Sequence, residues 1–140
     1  MENKWMLLPL FFQCLLSLAA LVISRLRREK AVREGKVKGT YFKTFEGDPP
    51  PREVMAADQL IGNFFETPLL FFTVALLIMI FNVNDLTQMI LAGLFVFFRL
   101  WHAQIKLTHN KLPKRALVFT LSLLVIFLMW FWLLIKVFMA

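Results

Sequence analysis

Residues 116 to 135 read ALVFTLSLLVIFLMWFWLLI, twenty positions without a single charge. At a rise of about 1.5 Å per residue, an α-helix of this length crosses the roughly 30 Å hydrocarbon core of a bilayer. The run is apolar on every side. A water-soluble fold would have to bury it whole, whereas lipid solvates it directly. Outward from this stretch the pattern repeats. Trp5 to Ser24 is a second uncharged run of twenty, Leu60 to Val83 is apolar but interrupted near its start by Asn63, Glu66 and Thr67, and Leu86 to Ile105 is apolar apart from a few polar residues that include Arg99 and His102. Four spans follow, at about 5–24, 60–83, 86–105 and 116–138, in one membrane domain covering 1–140, an all-α four-helix bundle. Asn82, Val83, Asn84 and Asp85 form a short turn that suits an antiparallel hairpin of spans two and three.

Bulk composition agrees: of 140 residues 59% are hydrophobic, 16 are Phe and only 5 are Gly, with a mean hydropathy of +0.68. The first run is not read as a signal peptide, because its leading residues include Glu2 as well as Lys4 and the basic cluster Arg25, Arg27, Arg28 follows the run. Cys14 is the only cysteine, so no intrachain disulfide forms.

Cations fall unevenly. The connector 25–52 holds nine Lys and Arg and the segment Arg99 to Arg115 holds five, against only Lys4 and Lys136 elsewhere. Under the positive-inside rule both basic segments are cytoplasmic, and the termini lie outside with the 82–85 turn. Basic residues interleaved with spans report topology, so the net charge of +7 points to no nucleic acid. The connector closes on Pro49, Pro50 and Pro51, which favour a stiff extended lead into span two.

Polar residues inside spans call for explanation, since a charge at depth costs about 2.5–3.5 kcal/mol on insertion scales. At about 100° per residue, Gln59, Asn63 and Glu66 share one helical face of span two, and Arg99, His102 and Lys106 share one of span three. Both stripes sit at the cytoplasmic halves of neighbouring helices. They can face each other or a shared pocket, with a Glu66–Arg99 ion pair neutralising both charges; interhelical glue and a ligand site both fit. His102 alone fits a packing histidine, and His109 with no nearby thiol makes no metal site. Lys111, Lys114 and Arg115 at the start of span four can form an anion site with the free helix N–H groups, and the positive-inside rule also accounts for them.

These residues resemble the MAPEG family, the membrane-associated proteins in eicosanoid and glutathione metabolism, and especially its bacterial members. The resemblance covers nearly the whole chain. It rests on Arg25-Leu26-Arg27-Arg28 leaving span one, Asn63-x-x-Glu66 followed by Pro68 in span two, Arg99-x-x-His102 in span three and Arg115 opening span four. It implies a trimeric four-helix bundle with glutathione as cosubstrate between subunits. Arg25, Asn63, Glu66, Arg99 and His102 would hold the tripeptide, and Arg115 would be the catalytic group that stabilises its thiolate. Gln59 stands where many members carry Arg, and Lys106 where several carry Tyr; both join the expected binding set. The implied function is a glutathione-dependent transferase or peroxidase acting on lipophilic electrophiles or lipid hydroperoxides, in a bacterial inner membrane. A non-catalytic lipid-binding or accessory protein of the same fold is the alternative. A small transporter is a third reading, for which the chain lacks broken, Gly-rich helices.

Overall fold

The computed structural model describes residues 1–139. A 3-10 turn at Asn3–Met6 leads into α1 (Leu7–Arg33); a short helix α2 (Tyr41–Thr44) follows, then α3 (Arg52–Ile80), α4 (Leu86–Leu107) and α5 (Leu112–Phe138), with no strand among the described residues. The four longer helices are all long and apolar enough to cross a membrane. They extend past the uncharged runs. α1 continues through the basic cluster to Arg33, where Gly35 takes a left-handed backbone (φ 70) and the Lys36 amide bonds the Ala31 carbonyl at 2.9 Å. α3 starts at Arg52, directly after Pro51 in an extended conformation, and ends at Ile80.

The buried residues show how the helices align. One apolar cluster joins Met6, the second half of α3 (Phe71, Val74, Ala75, Ile78), the start of α4 (Ala92, Phe95) and the end of α5 (Val125, Ile126, Met129, Leu133). A second joins Ala20 midway along α1, Leu60 and Phe64 early in α3, and Ala103 late in α4. Early residues of one helix thus meet late residues of the next, as an up-and-down bundle requires. At the centre of the first cluster the Phe71 and Phe95 rings stack with centroids 4.4 Å apart. The opposite faces carry Phe11, Phe12, Leu69, Leu124, Phe127 and Phe131, all exposed in the single chain.

The α3–α4 turn is tied on every side. Asn82 adopts a left-handed backbone (φ 56), and Asp85 caps α4 by accepting the Gln88 amide at 2.9 Å. The same carboxylate accepts Trp132 Nε1 at 2.9 Å and pairs with Lys136 Nζ at 3.0 Å, fixing the end of α5. Asn3 reaches the Met79 carbonyl at 3.0 Å, and the terminal amine reaches the Asn84 carbonyl at 3.0 Å. This clasp sets the register of α3, α4 and α5, and so the height at which the polar stripes of α3 and α4 meet.

Candidate functional site

At the other end of the bundle, α4 turns Arg99, His102 and Lys106 inward, and all three are buried. Their spacing of three and four residues puts them on one face, as the helical period requires. Arg99 is the largest fully buried side chain. Its Nη2 donates to the Asn63 carbonyl at 2.8 Å, and its guanidinium lies over the Phe64 ring at 4.8 Å and near the Phe119 ring of α5 at 5.7 Å. Pro68 adds to the polarity of this spot: lacking an N–H, it cannot bond the Phe64 carbonyl, the neighbour of the carbonyl that Arg99 reaches.

One turn further, Lys106 Nζ donates to Gln59 Oε1 at 2.6 Å. Gln59 and Lys106 line a cleft of 590 Å³ together with Arg27, Arg52, Glu53, His109 and Asn110. Asn110, left-handed at φ 47, offers its Oδ1 to Arg115 Nη1 at 2.5 Å. Arg99, Lys106 and Arg115 all lie within electrostatic reach of His102. Among the described residues no carboxylate pairs with any of the three cations. Three nitrogens in the cluster have no partner, Arg99 Nε and Nη1 and His102 Nδ1. Unpartnered guanidinium N–H groups beside further cations can donate to an anion.

The structure brings Gln59, Asn63, Arg99, His102, Lys106 and Arg115 to one region of the bundle, and leaves Glu66 and Arg25 outside it. Glu66 is exposed on the outer face of α3 and makes no ion pair, so the Glu66–Arg99 bridge does not form within one chain. The reason is angular. Glu66 lies at one edge of its stripe and α3 is rotated so that Asn63, on the stripe's other side, meets α4. Arg25 also points outward, where it bonds Glu29 at 2.9 Å. The helix start shifts the reading of Arg115 too. α5 begins at Leu112, and the Arg115 amide already bonds the Lys111 carbonyl, so the free N–H groups belong to the turn before it.

Sequence reasoning missed Asp58 and Arg27. Asp58 Oδ1 accepts Ser24 Oγ at 2.5 Å and Arg28 Nε at 2.9 Å, locking α1 to α3. Arg27 donates to the Glu53 carbonyl at 2.9 Å and to the Leu107 carbonyl at 3.2 Å, tying α1 to both walls of the cleft. Asp58 lies one position before Gln59, and a lone acid just ahead of an apolar run was a signal available for it.

The MAPEG family profile matches residues 6–135. The chain belongs to the MAPEG family. Neither a curated protein nor a solved structure matches it. As a MAPEG protein with four helices fit to span a membrane, it is a multi-pass membrane protein in a family of glutathione-related transferases and peroxidases that also has non-catalytic members. In this MAPEG chain the Asn63, Arg99 and His102 positions converge on the buried cationic cluster.

Proposed function

We propose that this protein binds glutathione at the Arg99–His102 cluster and activates its thiol toward lipophilic electrophiles or lipid hydroperoxides, as a homotrimer in a bacterial inner membrane with its termini outside the cytoplasm. The observation that carries the reading is the cationic cluster with three buried, unpartnered nitrogens and no carboxylate of its own. Glutathione has two carboxylates and one ammonium at neutral pH, so Arg99 and His102 supply donors for its acidic groups, and Glu66, on the outer face of α3, would partner its amine only from a neighbouring copy. Arg115 favours the charged sulfur, and a thiolate is the reactive form of the thiol. Trimer formation is supported by Glu66, which faces outward on α3 as a surface that a second copy would cover.

One observation favours the non-catalytic alternative. Gln59 and Lys106, which depart from the family pattern, bond each other at 2.6 Å and so satisfy themselves without a ligand. Titration of purified protein with glutathione by calorimetry, followed by thiolate ultraviolet absorbance across pH, separates the readings. Bound glutathione is expected to ionise at a lower pH than in solution, and every tenfold gain in its acidity is about 1.4 kcal/mol of thiolate stabilisation. Arg115→Leu should keep most of the affinity and lose the thiolate band, and Arg115→Lys should restore it in part. No binding at millimolar glutathione would establish the accessory reading. Native mass spectrometry in mild detergent checks the trimer.

A further inference from the structure

Where α1 leaves the apolar run, Arg25, Arg28, Val32 and Arg33 occupy one helical face and, with Gly39 and Phe42 of the connector, line a shallow hollow of 510 Å³. Spacings of three and four residues put Arg25, Arg28 and Val32 on one side of the helix, and Arg33 lies at the flank of that side. Ser24 is the last residue of the uncharged run, and Arg25 to Arg33 rises about 12 Å beyond it, so this face passes through the headgroup layer of the bilayer.

Three features single the hollow out from the basic surface around it. Its guanidiniums are only partly used. Arg25 gives Nε to Glu29 on the rim, Arg28 gives Nε to Asp58, and Arg33 has no ion pair among the described residues. Three arginines against Glu29 and the Asp58 paired with Arg28 leave one positive charge in excess at the hollow, that of Arg33. Its aromatic wall is held in place. The Phe42 ring lies 4.9 Å from the Arg28 guanidinium and edge-on to Tyr41 at 5.4 Å, and both rings pack on Ala31, Val37 and Val54. Phe45, in a left-handed conformation beside Tyr41, is 60% exposed and presents an apolar ring where interfacial aromatics sit. Gly39 places no side chain over the opening.

We propose that this hollow binds the phosphodiester headgroup of an anionic phospholipid of the surrounding bilayer. Guanidinium forks hold phosphate oxygens through paired N–H donors, and the apolar residues below Arg25 accept the acyl chains. A choline headgroup would set its own cation against the arginines, so the site discriminates by charge. None of this depends on glutathione. Arg33 and Phe42 lie outside the glutathione cluster, so the hollow's failure and that of the glutathione reading are separable.

The test is lipid retention by native mass spectrometry after reconstitution in mixed phosphatidylglycerol and phosphatidylcholine. Wild type should retain phosphatidylglycerol preferentially. Arg33→Gln should weaken retention about fivefold, the effect of one interfacial cation, and Phe42→Ala should weaken it too. Lys114→Gln, which removes an exposed cation in the first turn of α5, should leave retention unchanged. Absence of preference in wild type would overturn the proposal, as would equal losses in Arg33→Gln and Lys114→Gln, which indicate a diffuse field. Val32→Cys in a Cys14→Ser background gives a further check. Its thiol should react with a water-soluble maleimide in delipidated protein and be shielded by added phosphatidylglycerol; shielding without lipid means a second copy covers the hollow and overturns the assignment.

Discussion

Replacing Arg99 by Met should make the ligand-free protein more stable while removing its capacity to bind glutathione. Arg99 is fully buried, holds one hydrogen bond to the Asn63 carbonyl at 2.8 Å, and leaves Nε and Nη1 without partners. Loss of that charge-assisted bond costs about 1.5–3 kcal/mol, and the two ring contacts add about 1–2 kcal/mol. Against this, the variant avoids about 2.5–3.5 kcal/mol for a charge at depth and about 1–3 kcal/mol for each of two orphaned donors. The Asn63 carbonyl stays inside α3, where its helical bond remains. At mid-range values the balance is a stabilisation of about 3 kcal/mol, within the range seen when buried ionic groups give way to apolar ones of similar size. Thermal unfolding in detergent, followed by tryptophan fluorescence, should show a higher Tm for Arg99→Met, and calorimetry should show glutathione affinity reduced at least about tenfold, the equivalent of about 1.4 kcal/mol. Glu66→Gln should combine additively with it, since the two side chains do not meet within one chain. A lower Tm for Arg99→Met would refute the reasoning and make Arg99 a structural tie.

Two further outcomes are expected. Asp85→Ala should destabilise the protein by about 2 kcal/mol through loss of the α4 cap and of the Trp132 hydrogen bond, while Asp85→Asn should recover the cap alone. Burial opposes the charge on Asp85, but the Gln88 amide, the Trp132 indole and the Lys136 ammonium outweigh it and hold the carboxyl below its ordinary 3.8. Its stabilisation is therefore complete above the ordinary value and lost as pH falls through the lower folded value; an acid titration of Tm in which wild type and Asp85→Asn do not converge below about pH 4 would contradict this. For topology, reporters at Gly39 and Asn110 should be cytoplasmic and one fused after Ala140 external, as the charge partition demands; a cytoplasmic reporter at the C-terminus would sink the orientation.

Four long apolar helices and the inward polar face of α4 were legible in the sequence, because both are one-dimensional properties. An uncharged run has a length that either matches a bilayer or does not, and residues three and four apart share a face whatever the neighbours do. Spacing gave one polar stripe on each of α3 and α4, and the family resemblance, not spacing, implied the set of Asn63, Arg99 and His102. Helical periodicity does not say how each helix is rotated about its own axis against the next, and that rotation decided the rest. It gave Arg99 the Asn63 carbonyl in place of the Glu66 carboxylate and turned Arg25 outward. It also paired Gln59 with Lys106 and brought Asp58 between Ser24 and Arg28. Which side chains meet is fixed by packing the apolar clusters of α1, α3, α4 and α5 against one another, a condition on the whole bundle that no single span carries.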